Sequence, residues 1–307
     1  MSYSIRSIKK EFAERGVFYT DERLARLLAD EVRKYGEVRQ VYDPTCGAGN
    51  LLAVFSDDVE KFGQEINAEQ AEVARQRLTN AHIATGDTLV EPAFSEMKFK
   101  HIVANYPFSI KWQPAADMRW MGAPCLPPPS RADYAFIMHI ISMMAPDGVA
   151  ATLNFPGILY RGAREGKIRE WLVRRNLVDS VTIIERGYFE DTNIETALII
   201  FKMQRDDTSI RFADHESGRE YTASFKEVES NGFNLSPSSY IVVEDDREPI
   251  DPIEVEMQAR AEALRYLNAQ LAFSKHAEMV HEMLGLPPLP PLSEFINDLT
   301  NLIAKYK

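Results

Sequence analysis

The chain has 307 residues, 45% hydrophobic and 26% charged, the balance expected of a globular protein with one large domain or one domain and a smaller attachment. No run approaches the roughly 20 apolar residues a bilayer span requires, the start lacks the apolar core of a secretion signal, and two cysteines, Cys46 and Cys125, make no disulfide framework and point to a reducing, cytoplasmic setting. A net charge of −11, from 46 acidic and 35 basic residues, speaks against a nucleic-acid grip by overall basic charge, so work on DNA would need clustered basic residues or a partner that supplies the grip.

Leu24, Leu27, Leu28 and Val32 recur at helical spacing and predict an amphipathic helix over 21–35 that ends near Gly36. Arg39 to Tyr42 reads as a short strand running into Asp43-Pro44-Thr45-Cys46-Gly47-Ala48-Gly49-Asn50-Leu51-Leu52, with a helix expected from Asn50. Glu60 to Gln64 reads as a second strand, and Asn67 with Gln70 three residues on resembles a capping box opening a helix over 68–79. Further strands are expected at 81–85, 101–104, 148–153, 180–184 and 196–201, with helices at 134–144 and 168–177. Such alternation implies an α/β fold, a mostly parallel open sheet with helices on both faces.

Two stretches break the pattern. Residues 109–132, with Gly122, Pro124 and Pro127-Pro128-Pro129, read as a long loop, and loops of that length are commonly functional or disordered. After about residue 250 the composition changes. Met257, Leu264, Leu267 and Leu271 predict a long helix stopped by Gly285 and the prolines to Pro291, and Leu292, Phe295, Ile296, Leu299, Leu302 and Ile303 form a second apolar stripe. The division expected is therefore 1–250, with a helical lead-in over 1–36, and a helical segment 251–307.

Ligands of α/β sheets sit beyond the carboxyl ends of the strands at the point where strand order reverses. Gly47 and Gly49 permit a tight turn there and a close backbone approach to a ligand. Asp43 is placed to bind a cofactor ammonium directly or through water. Glu65, about 20 residues on, can accept from both hydroxyls of a ribose. Asp87, in Gly86-Asp87-Thr88-Leu89, can accept from an adenine amino group. Three acidic strand ends suit a cationic sulfonium cofactor and suit a phosphate-rich one poorly; the pattern GxxxxGK[ST] is also missing. Cys46 has no suggestively placed histidine and reads as a small packed residue. None of the six histidines has metal-ligand spacing, His276 and His281 being five apart.

Asn105-Tyr106-Pro107-Phe108 follows a predicted strand downstream of that turn. An adenine amino group is a poor nucleophile because its lone pair is delocalised, so it must be held and polarised as it attacks. The Asn105 side-chain oxygen and the Tyr106 carbonyl can accept its two hydrogens, Pro107 fixes the turn, and Phe108 offers a face for an extruded base. The same turn would serve a DNA adenine, an RNA adenine or a protein glutamine, and a non-catalytic subunit retaining the cofactor fold is a further alternative.

With these motifs the chain resembles the adenine-N6 DNA methyltransferases, in particular the modification subunits of type I restriction–modification systems, from about Gly16 to Ile241. Gly16-Val17-Phe18-Tyr19-Thr20 is similar to the family's segment against the methionine part of the cofactor. Ala132-Asp133-Tyr134-Ala135-Phe136 with His139, then Arg161-Gly162, Glu165 and Ile168-Arg169, then Asn231-Gly232-Phe233-Asn234-Leu235 with Tyr240-Ile241, fall in the family's order. The resemblance implies a Rossmann-like methyltransferase fold, S-adenosylmethionine as cofactor, DNA as substrate, and a separate specificity subunit that reads the sequence. It places the cofactor at Tyr19, Thr20, Asp43, Thr45, Gly47, Gly49, Glu65, Ile66, Asp87, Thr88 and Asn105, and the target base at Asn105, Tyr106, Pro107 and Phe108. Tyr106 stands where these enzymes usually have proline. The C-terminal helices are candidates for docking the partner, with self-packing or a homodimer as alternatives. Arg161, Arg164, Lys167, Arg169, Arg174 and Arg175 form the most basic local cluster, either a phosphate contact or a solvated helix face.

Overall fold

The computed structural model describes residues 21–187, 195–241 and 252–287. Gly16 to Thr20 and the stripe from Leu292 to Ile303 lie outside the described residues. The described residues fall into two units, within 1–242 and within 243–307.

In the first unit, helix α1 (Glu22–Arg33) opens on Asp21, whose carboxylate accepts the Arg23 and Leu24 amides, and buries Leu24, Leu28 and Val32. Strand β1 (Gln40–Asp43) follows. The helix expected from Asn50 is absent: only the single 3-10 turn Leu52–Val54 forms. The reason is length, because the parallel pairing of Gln40 with Glu60 requires strand β2 (Glu60–Glu65) to begin within about ten residues of Asn50. Helix α2 (Ala68–Arg77), capped by Asn67 as expected, leads to β3 (Ala81–Thr85) and β4 (Phe99–Ala104). Helix α3 (Asp133–Met143) runs directly into β5 (Met144–Asn154), followed by α4 (Ala163–Arg174), β6 (Val178–Ile184) and β7 (Thr196–Lys202). Three short elements escaped the sequence pattern: β8 (Ile210–Asp214), β9 (Glu220–Ala223) and α5 (Phe225–Ser230).

The nine described strands form one sheet in the order β3-β2-β1-β4-β5-β7-β6-β8-β9. Pairings are parallel from β3 to β5 and between β6 and β8, while β7 runs antiparallel to β5 and β6, and β9 to β8. The sheet is thus mostly parallel, as expected, with an antiparallel far edge. Alternate residues feed two cores. Val41, Val103 and Ala151 face α1 and α2, whereas Tyr42, Ile102 and Ala150 face α3 and α4. Helix α3 is buried along almost its whole length, which is why its sequence is apolar on every face.

In the second unit, helix α6 (Pro252–Met283) is 32 residues long, and Met257, Leu264, Leu267 and Phe273 on it are exposed. No helix among the described residues is long and apolar enough to cross a membrane.

Candidate active site

Strand order reverses between β1 and β4: the chain proceeds from β1 outward to β3 on one side, then returns to place β4 on the other. The turns after β3, β2, β1 and β4 therefore share one edge of the sheet, spanning three strand spacings, about 14 Å.

The turn after β1 is built from backbone. Gly47 and Gly49 have φ of 53° and 81°, in the left-handed region. A Cβ on Gly49 would stand 2.7 Å from Leu78 Cδ1, so the turn packs directly on the end of α2. The Gly47 amide donates to Glu65 Oε2 at 2.9 Å and the Asn67 amide to Glu65 Oε1 at 2.8 Å. These two bonds fix the carboxylate at the strand end with lone pairs remaining on both oxygens. Ile66 beside it is 68% exposed, an apolar surface at the mouth of the site. Asp43 is buried, and its oxygen accepts the Thr45 amide at 3.0 Å. Burial pushes its pKa up to about 7, opposed by the Thr45 hydrogen bond and reinforced by the negative charge of Glu65. Among the described residues no cation pairs with it. Cys46 is a packing residue: it is buried, and its sulfur would lie 2.7 Å from a Cβ on Gly63.

In the turn after β3, Asp87 is half-buried and accepts the Leu89 amide at 2.9 Å. Thr88 belongs to that turn through its backbone, but its hydroxyl points into the core, 3.1 Å from His139 Nε2 and 3.4 Å from the Tyr42 hydroxyl.

After β4, Asn105, Pro107 and Phe108 are half-buried, and the Tyr106 side chain is fully buried. Its ring stacks on Phe136 of α3, centroids 4.9 Å apart and planes 15° apart, and its hydroxyl donates to Asn154 Oδ1 at the end of β5. The departure from proline at this position thus leaves the turn anchored from below. The next residue, Ser109, has a φ of 54°, and its amide donates to both Asp133 oxygens at 3.2 and 3.1 Å. The helix start singled out in the sequence is what clamps the far end of the turn.

The stretch 109–132 is built into the protein rather than left as an open loop. Trp112 and Trp120 meet edge to face at 5.7 Å, their indole N–H groups donate to the Pro128 and Ala115 carbonyls at 3.0 Å each, and Trp120 is buried. Arg119 links it to the turn after β3, donating to the Thr88 and Leu89 carbonyls at 2.8 and 2.6 Å, to Asp117 at 2.6 Å and to His139 Nδ1 at 3.2 Å. A guanidinium only donates, so Nδ1 accepts and the proton of His139 sits on Nε2. Burial and the neighbouring Arg119 charge press the His139 pKa down to about 3. Sequence reasoning did not find Arg119 or Asn154, since each acts through partners far along the chain.

The basic cluster divides. Arg169 is buried and donates to the carbonyls of Phe233, Ile158 and Arg161 at 2.6, 3.0 and 2.8 Å. Arg161 lies over Phe155, Arg174 pairs with Glu170 and Glu229, and Arg175 lies over Trp171. Arg164, Lys167, Arg174 and Arg175 are exposed.

The sheet order and the glycine turn at the reversal define a Rossmann-like methyltransferase fold. The model of the N-6 DNA methylase family matches residues 3–226, and the chain belongs to that family. It is 34% identical over 221 residues to the type I restriction enzyme MpnII methylase subunit of Mycoplasma pneumoniae, covering 62% of this chain and 41% of that one. It is 25% identical over 317 residues to the MjaIX methylase subunit of Methanocaldococcus jannaschii, covering 82% and 56%. Among solved structures, the type I restriction-modification methyltransferase subunit from Streptococcus thermophilus superposes with a TM-score of 0.68 at 27% identity, over 73% of this chain and 59% of that one. The chain spans about half the length of the curated relatives it matches.

Proposed function

We propose that the chain is a methyltransferase subunit that moves a methyl group from S-adenosylmethionine to the N6 amino group of an adenine extruded from DNA, with the sequence read by a separate specificity subunit in a cytoplasmic restriction–modification system. The observation that carries this reading is adjacency: the acceptor turn follows β4, the cofactor turn follows β1, and the two strands pair in parallel at the reversal point.

The residues fit the cofactor. Asp43 is a buried carboxylate with a pKa raised to about 7 and no cation beside it among the described residues, a position a cationic ligand would relieve. Asp43 and the backbone around Thr45, Gly47 and Gly49 would hold the amino-acid portion, Glu65 the ribose, and Ile66, Asp87 and the Thr88 backbone the adenine. Tyr19 and Thr20 are further candidates on resemblance. When bound, the cofactor supplies an electrophilic methyl carbon on a sulfonium. Asn105 and the Tyr106 carbonyl accept the two hydrogens of the target amine, directing its remaining electron density toward the methyl carbon, and Phe108 stacks on the base. The amine releases its surplus proton to solvent. Residues 1–250 form the catalytic part and 251–307 a helical part that docks the partner.

The test is transfer of labelled methyl to mixed-sequence DNA, by the chain alone and with a specificity subunit. Asn105→Ala is expected to lower transfer roughly a hundredfold or more, a loss larger than the weakening of cofactor affinity that follows from its second place beside the cofactor. Label in anything other than adenine, or a fully active Asn105→Ala, would overturn the reading.

A further inference from the structure

We propose that Tyr106 and Asn154 form a positioning couple that aims the acceptor turn, an inference that rests on reading residues 105–108 as that turn. The aim of the turn depends on the backbone of residue 106, whose carbonyl is one of the two acceptors. That backbone is held through its own side chain. The ring lies against Phe136 at 4.9 Å and the hydroxyl ends on Asn154 Oδ1, with both residues fully buried.

Asn154 is suited to fix a direction. Its Nδ2 donates to the Thr152 carbonyl at 2.8 Å, to Thr152 Oγ1 at 2.9 Å and to the Ala197 carbonyl at 3.2 Å. All of these carbonyl partners can only accept, so the amide cannot flip, and Oδ1 is the atom left facing Tyr106. Thr152 pairs with Ala104, the last residue of β4, and Asn154 with Ala197 on β7. The couple therefore ties the turn to two neighbouring strands, and with the Asp133 clamp on the Ser109 amide it fixes both ends of a four-residue segment. With tyrosine at this position, the chain holds the turn through a buried hydrogen bond. Methyl transfer depends on in-line geometry, so the couple governs turnover rather than cofactor binding.

The experiment uses the full chain carrying Tyr106→Phe, which removes one hydroxyl and keeps the ring stack and the backbone carbonyl. The expected result is a kcat lowered roughly tenfold to a hundredfold, with KM for DNA and the dissociation constant for S-adenosylmethionine within about twofold. Amide hydrogen exchange at residues 106–109 is expected to quicken while β4 and β5 keep their protection. Asn154→Ser, which withdraws the acceptor and leaves Tyr106 on Phe136, should show the same split and serves if Tyr106→Phe does not fold. Wild-type kcat with unchanged exchange in the folded variant overturns the proposal. So does a lowered thermal midpoint with faster exchange throughout both strands and no loss of kcat, the mark of a purely structural bond. If the wild-type chain methylates no adenine under any condition, the functional reading fails by itself. The exchange comparison then still decides whether the couple holds the turn.

Discussion

Asp43 is the residue where burial and chemistry pull against each other. Its pKa in the fold is about 7, above the ordinary carboxylate value, because burial disfavours the charged form. The protonated form is therefore favoured by folding. That contribution to stability is fully present below the unfolded pKa, near 4, and is lost as pH rises through about 7. A cationic cofactor needs the opposite, ionised form. Its affinity should consequently weaken by about tenfold per unit as pH falls below about 7 and level off above it. Calorimetric titration of S-adenosylmethionine between about pH 5.5 and 8.5 checks this, with Asp43→Asn expected to bind weakly and without the slope. A flat profile in the wild-type chain would show that Asp43 does not meet the cation. Asp43 was legible in the sequence because a carboxylate before a glycine turn needs only local pattern to be seen. Its burial, and with it the pH dependence, comes from the place of β1 inside the sheet, between β2 and β4.

Among the elements, those with a strong period were legible and those defined by distant partners were not. The parallel strands and α1 announced themselves by apolar spacing, and Asn67 announced α2. Strands β8 and β9 are five and four residues long and take their place from pairing with β6 and with each other. The stretch 109–132 illustrates the limit best. Proline and glycine content correctly gave an irregular chain, but nothing local reveals that Arg119 reaches the carbonyls of residues 88 and 89. This contact makes the segment a wall attached to the Asp87 turn. Replacing Arg119 by Met would leave two carbonyls without their donor, each such bond to a charged group being worth about 1.5–3 kcal/mol. The expected outcomes are faster protease cleavage between residues 113 and 123 and S-adenosylmethionine affinity about tenfold weaker. Cofactor affinity equal to wild type alongside faster cleavage would show that the wall does not support the adenine-side turn.

At the scale of the whole molecule, charge and the second unit bear on one question: how DNA is held. The net charge is −11, and of the six residues in the most basic local cluster Arg169 is buried and Arg161 half-buried, while Arg164, Lys167, Arg174 and Arg175 are exposed, with Arg174 paired to Glu170 and Glu229 and Arg175 lying over Trp171. Four exposed cations, two of them already engaged with neighbours, neutralise few phosphates on an acidic chain, so the chain alone should bind DNA no more tightly than the non-specific range of about 10⁻⁴–10⁻⁶ M at physiological salt. Fluorescence anisotropy with a labelled duplex measures this, and nanomolar binding by the chain alone would refute it. On the proposed function a partner supplies the grip, and the exposed face of helix α6 is the candidate surface to recruit it. Met257, Leu264 and Leu267 are exposed and spaced seven and three residues apart, the repeat by which one helix packs along another. Leu264→Glu with Leu267→Glu places two charges in that seam and changes no residue of the first unit. Co-purification of the specificity subunit should be lost, and DNA methylation in the mixture should drop roughly tenfold or more. S-adenosylmethionine binding by the variant should match wild type, because the cofactor turns lie within the first unit. Partner binding that survives both charges would move the docking surface away from this helix face, and loss of cofactor binding would show that the variant disturbs the catalytic unit instead.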